Sequence, residues 1–134
     1  MSGKVLLVVA AAIFNEDGDI LLAQRPEGKS MAGLWEFPGG KLEAGERPEE
    51  ALCRELKEEL QISVDPAAIR PITFASFGYP DFHLLMPLYE VRDWQGELAG
   101  LEGQEIAWVK PAELGRYEAP PADIPLFDEL ALRY

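Results

Sequence analysis

The chain has 134 residues, of which 48% are hydrophobic and 27% charged, a size and balance suited to one domain with its own core and not to a disordered or fibrous chain. Twenty-four acidic residues against twelve basic ones give a net charge of −12, which excludes bulk electrostatic attraction to a nucleic acid polymer or an anionic membrane. A single cysteine, Cys53, and a single histidine, His83, exclude an internal disulfide and a zinc site of the His/Cys type, and fit the reducing cytoplasm.

The longest apolar run, Val5 to Phe14, is about half of the roughly 20 residues that span a bilayer. It leads directly into Asn15-Glu16-Asp17-Gly18-Asp19 and a second apolar run, so it reads as a strand and not as a leader or membrane span. Residues 4–14 and 20–24 are expected to form a central hairpin, its first strand buried on both faces. After turn-rich residues 26–33, Leu34-Trp35-Glu36-Phe37 reads as a short strand stopped by Pro38-Gly39-Gly40.

Leu52, Leu56 and Leu60 recur at helical spacing behind Pro48, which suits a first helical position, and predict a helix over 48–60. Its ends are poorly marked. Arg47 stands where Ser, Thr or Asp caps best, and Gln61 stands where glycine most easily turns left-handed, so contacts beyond local propensity must fix both ends. Residues 70–79, 82–92 and 105–109 read as further strands, and Asp123 to Arg133 as a closing helix. Strands around one long helix with a second helix at the end predict a single α/β domain over 1–134, an α/β/α sandwich with a mixed sheet covered on both faces.

Within the long helix, Glu55, Glu58 and Glu59 stand at i, i+3 and i+4 and share one arc beside the leucine stripe. Like charges at these spacings repel by a few tenths of a kcal/mol per pair, a cost that a merely solvated face has no reason to place beside its buried stripe. Three carboxylates at a core edge are hard oxygen ligands of the kind magnesium and manganese prefer. Arg54 stands four residues from both Glu50 and Glu58 and can hold the carboxylates while offsetting their repulsion. Glutamates alone would be ordinary on an acidic helix; the register of the flanking residues changes that reading.

Gly40, Glu46, Arg54-Glu55-Leu56, Glu58-Glu59 and Ile62 are spaced as in the Nudix box. At ordinary residue frequencies such a register arises by chance with a probability on the order of 10⁻⁵, raised about tenfold by the excess of glutamate. By this pattern the chain resembles the Nudix hydrolases, departing from the box at Gln61, where the family has glycine. The resemblance implies an enzyme that cleaves a nucleoside triphosphate to nucleoside monophosphate and pyrophosphate, with Mg²⁺, or Mn²⁺ in its place, joining the protein to the phosphates. Glu55, Glu58 and Glu59 are then the metal ligands and Gly39 adds its carbonyl oxygen. Glu55 also orients or deprotonates the attacking water, Arg54 completes the catalytic set by holding the carboxylates, and Glu46 holds the loop to the helix.

Leu22-Ala23-Gln24-Arg25-Pro26, Trp35 to Lys41, Leu101-Glu102-Gly103-Gln104 and Pro120-Pro121-Ala122-Asp123 extend the resemblance to the MutT group, whose members remove oxidised guanine nucleotides such as 8-oxo-dGTP and so protect DNA. This implies Glu102 as a further metal or water contact and Arg25 as a phosphate contact. Asp123 stands at the base-reading position, where the group commonly has asparagine; as an isolated residue it would be a helix N-cap. The stretch Ala122-Asp123-Ile124-Pro125-Leu126 also resembles Nudix enzymes acting on cytidine nucleotides, whose amino group a carboxylate accepts. Among aromatics near the cleft, Phe37 and Phe82 are the stacking candidates, with Phe77 and Tyr79 beside them. A catalytically silent binding module is the rival of another class, and the complete glutamate arc speaks against it. His83 and Cys53 read as structural residues.

Overall fold

The computed structural model describes residues 3–134. The first strand, β1 (Val5–Ile13), runs antiparallel to β4 (Gly39–Lys41) on one side and parallel to β6 (His83–Val91) on the other, with β5 (Arg70–Gly78) antiparallel to β6 at the far edge. A second, antiparallel sheet sets β2 (Ile20–Gln24) between β3 (Trp35–Glu36) and β7 (Ile106–Val109). Helix α1 (Pro48–Leu60) covers one side and α2 (Ile124–Arg133) the other. The expected α/β/α sandwich is present, its middle layer divided into two sheets.

That division corrects the expected central hairpin. Beyond one bridge between Phe14 and Ile20, β1 and β2 part, because both edges of β1 are already filled by β4 and β6 and β2 finds its partners elsewhere. The strand β1 is buried on both faces, as its composition suggested. Ala10, Ala12 and Phe14 enter the core with Leu126, Phe127 and Leu130 of α2, while Val9, Ala11 and Ile13 enter the core with Leu52, Leu56 and Leu60 of α1.

A second correction concerns Pro38-Gly39-Gly40, which ends one strand and begins another. The Pro38 carbonyl accepts the Ala11 N–H at 2.9 Å and Gly39–Lys41 pair with β1. A Cβ on Gly39 would overlap the Val9 carbonyl oxygen, so glycine permits this approach where strand propensity alone would not predict one.

Both ends of α1 are fixed as its weak cap residues required. At the start, the Glu50 carboxylate accepts the Arg47 N–H at 2.9 Å, one half of a capping box. At the end, Gln61 takes the left-handed conformation at φ 66°, its side-chain amide donating to the Glu97 carbonyl at 3.2 Å. Ser63 and Gln95 exchange backbone hydrogen bonds at 2.8 and 2.9 Å, which clamps the turn that glycine would make more cheaply. No helix among the described residues is long and apolar enough to cross a membrane.

Candidate functional site

The last turn of α1 has carbonyls without helical partners, and the loop before β7 supplies them. Ala99 N–H donates to Leu60, and Leu101 N–H and the Gln104 side-chain amide donate to Glu59, at 2.9–3.1 Å. These bonds bring Glu102, far along the chain, to the end of the glutamate helix. The strand β4 also packs against α1. A Cβ on Gly40 would overlap the Glu55 carboxylate, so the absence of a side chain is what admits Glu55 against the strand.

A cavity of about 400 Å³ lies between these elements, with Glu55, Glu59 and Glu102 on its acidic wall and Arg25, Lys29 and Lys41 among its basic groups. A smaller one, about 190 Å³, shares Arg25, Glu36 and Gly39–Lys41 with it and is bounded by Phe37, Met86 and Asp123. Together they form a cleft running from the acids of α1 to the start of α2. A hollow of about 430 Å³ beside Asp65, Asp93 and Trp94 includes none of these residues.

The carboxylates divide into two kinds. Arg54 bonds both oxygens of Glu46 at 2.7 and 2.9 Å, reaches Glu58 at 3.2 Å and the Lys41 carbonyl at 3.1 Å, and lies 3.6 Å from Glu55. Hydrogen bonding to Arg54 holds Glu46 down at about 2, and Glu46 in turn accepts the Glu43 N–H, so it ties the loop to the helix. Glu59 is the opposite case. Burial first, then the charges of Glu55, Glu102 and Glu36, push its pKa up to about 9. Its Oε2 is buried with no hydrogen-bond partner among the described residues, an arrangement that costs stability unless a cation completes it. Glu55 is also raised by burial, an effect that Arg54 opposes.

Among the described residues, no three acidic side chains already converge on one point. The donors nevertheless suit a hard divalent ion of the magnesium type, which keeps several waters and takes one or two carboxylates plus phosphate oxygens. The unpartnered Glu59 oxygen, facing other carboxylates across a polar cleft, is the feature that fits. Of the expected ligand set, Glu55, Glu59, Glu102 and Gly39 line the cavity, whereas Glu58 is half-exposed and turned to Arg54.

At the other end, Asp123 is 4% exposed. The structure shows no side-chain cap from it; its Oδ2 accepts the Phe37 N–H at 3.3 Å. Burial, with the Glu36 charge behind it, lifts its pKa to about 7. Phe37 itself is 4% exposed, its ring edge-on to Phe127 at 5.2 Å, so it offers the cleft a backbone edge and not a free face for stacking. Phe82 lines neither cavity; it stands at the β5–β6 tip with its ring 5.2 Å from that of Tyr79.

Arg25 lines both cavities, bonded to Glu36 at 3.0 Å and to the Ser30 carbonyl at 2.7 Å. Glu36, which also lines both cavities, is the cleft residue that sequence reasoning passed over. A charged residue between Trp35 and Phe37 in an otherwise apolar strand was the available signal, since alternation turns it to the opposite face.

A model described as the NUDIX domain matches residues 9–129. The chain belongs to the NUDIX domain family. It is 43% identical over 130 residues to an 8-oxo-dGTP diphosphatase of Haemophilus influenzae, covering 97% of this chain and 94% of that protein. It is 42% identical over 129 residues to a CTP pyrophosphohydrolase of Escherichia coli K12, covering 96% and 94%. A MutT structure from work on Aliivibrio salmonicida and Vibrio cholerae superposes with a TM-score of 0.83 at 37% identity, covering 98% of this chain and 100% of that one. The NUDIX assignment accounts for the spacing from Gly40 to Ile62, and NUDIX hydrolases generally need divalent metal ions.

Proposed function

We propose that this NUDIX domain is a magnesium-dependent nucleoside triphosphate pyrophosphohydrolase of the cytoplasm, with manganese as a substitute ion, acting on oxidised guanine nucleotides such as 8-oxo-dGTP. The observation that carries the reading is the cleft itself, which has a buried carboxylate oxygen without a partner at one end and a buried hydrogen-bonding edge at the other. A bound divalent ion supplies the acidified water and offsets phosphate charge. Glu55, raised by burial and 3.6 Å from Arg54, takes the proton of the attacking water at its carboxylate. Glu58, Glu59, Glu102 and the Gly39 carbonyl would be the remaining groups to hold the ion.

Arg25 and the cleft lysines neutralise the triphosphate, on which an acidic protein otherwise has no hold. Asp123 and the Phe37 backbone read the base edge, and Phe82 stacks on its face. A second substrate reading, cytidine triphosphates, is favoured by one observation: position 123 carries a carboxylate, which as an anion accepts the cytosine amino hydrogens. In its protonated form the same group donates to a carbonyl, and a pKa of about 7 makes both forms available at neutral pH.

One competition assay decides between them: 8-oxo-dGTP, dGTP, CTP and 5-methyl-dCTP ranked by kcat/KM. The expected result puts 8-oxo-dGTP first, with nucleoside monophosphate and pyrophosphate as products. A preference for the cytidines would overturn the oxidised-guanine assignment and leave the hydrolase in place.

A further inference from the structure

The loop that carries Asp123 is held by a residue from another part of the chain. Ala122, 1% exposed, donates its N–H to the Tyr79 hydroxyl at 3.4 Å. Tyr79 begins the tight turn at the β5–β6 tip, where its own N–H donates to the Phe82 carbonyl at 2.8 Å. Its ring lies between two others, 4.9 Å from Phe77 at an interplanar angle of 57° and 5.2 Å from Phe82 at 30°. One side chain therefore touches both Phe82 and the residue next to Asp123.

We propose that Tyr79 is a specificity-determining positioning residue, a strut that sets the distance between the stacking ring of Phe82 and the edge-reading carboxylate of Asp123. The inference rests on the base-pocket reading above. Its physical basis is that a nucleobase is rigid and planar, so its face and its edge can be engaged together only if the two protein groups stand at a fixed separation. Hairpin tips and loops move independently unless something joins them. The hydroxyl bond and the Tyr79–Phe82 ring contact are that joint. A buried N–H left without an acceptor also strains the loop toward other conformations.

Tyr79→Phe tests this because it keeps the rings and deletes the acceptor of the Ala122 N–H. For the preferred nucleotide, KM should rise about 5–20-fold with kcat within about twofold, the pattern of lost ground-state positioning. The kcat/KM ratio of the preferred to the least preferred nucleotide should shrink about tenfold, while hydrolysis of inorganic tripolyphosphate, which has no base, should not change. A purely structural role would lower the melting temperature and leave this discrimination intact, which overturns the proposal.

Asp123→Ala is the control that separates the two readings. If it collapses the discrimination and Tyr79→Phe does not, the strut fails alone; if neither variant changes it, the base pocket fails and the strut with it. Should Tyr79→Phe melt too low to assay, hydrogen exchange of the Ala122 amide in the wild-type protein decides. Binding of the product monophosphate should slow that exchange at least about fivefold, and an unchanged rate contradicts the strut.

Discussion

Arg54 and its carboxylates form one acidic region of this molecule; Glu59 and Asp123, at the two ends of the cleft, form another. In the first, a guanidinium with 2.7–3.2 Å bonds to Glu46 and Glu58 neutralises a crowd of acids and builds the loop onto the helix. In the second, burial raises both carboxyls, to about 9 and about 7, and Oε2 of Glu59 has no partner among the described residues. Carboxyl groups thus serve as framework where a cation is built in beside them, and stand in the cleft uncompensated where none is. The first region stabilises the fold, and the second is held against a cost.

Substitutions should break this contrast in different ways. The largest effect is expected for Glu55→Gln, which removes the proton acceptor and a cleft carboxylate and should lower kcat about 10²–10⁴-fold with little change in melting temperature. A rate within threefold of wild type in steady-state assays would remove Glu55 from its role. Arg54→Ala comes next and belongs to the framework. It leaves Glu46, Glu58 and Glu55 crowded without their cation, and should lower both stability, by about 1–3 kcal/mol in denaturant titration, and activity, by about 10–100-fold. Loss of activity alone would mean that Arg54 acts on the substrate directly.

Titration sharpens the same distinction through opposite signs. Asp123 and Glu59 have folded pKa values above their ordinary ones. Their contribution to stability is therefore present below the ordinary carboxylate range and lost as pH rises through about 7 and about 9. Glu46, lowered to about 2, contributes above the ordinary carboxylate range and loses that contribution as pH falls through about 2. Melting of the metal-free protein should accordingly weaken between about pH 5 and 8, and Asp123→Asn should flatten that slope; an unchanged slope would mean that Asp123 ionises freely in the fold.

Much of the first region was legible in the sequence, because it is local. The leucine stripe and Pro48 mark α1, and the spacing from Gly40 to Ile62 places Glu55, Glu58 and Glu59 within two turns of it. Spacing does not say which of two adjacent glutamates faces inward. One residue of helix is about 100° of rotation, and it separates half-exposed Glu58 from Glu59, whose Oε2 is buried. The second region is non-local. Asp123 meets Phe37 across 86 residues, and Glu102 reaches the site only because its loop caps α1. The Gly39–Lys41 strand was hidden by its own composition: glycine reads as a stop, yet here it allows close approach to β1.

The smallest effect is expected at the departure from the family pattern. Gln61 is left-handed at φ 66°, so Gln61→Gly should stabilise the protein by about 0.5–1 kcal/mol in denaturant titration, less whatever the Glu97 bond contributes. Destabilisation would mean that the side-chain amide, and not the backbone turn, holds the end of the helix.

On the proposed function, the buried Oε2 of Glu59, without a partner among the described residues, awaits a divalent ion that the hydrolysis needs. The direct measurement is pyrophosphate release from a nucleoside triphosphate as magnesium is titrated, for wild type and Glu59→Gln, beside the melting temperature of each without metal. Wild type should release pyrophosphate only with metal, Glu59→Gln should lose at least about 10²-fold, and the metal-free variant should be more stable than wild type by about 1–3 kcal/mol. Full activity in Glu59→Gln, or release that needs no divalent ion, would contradict that role for Glu59.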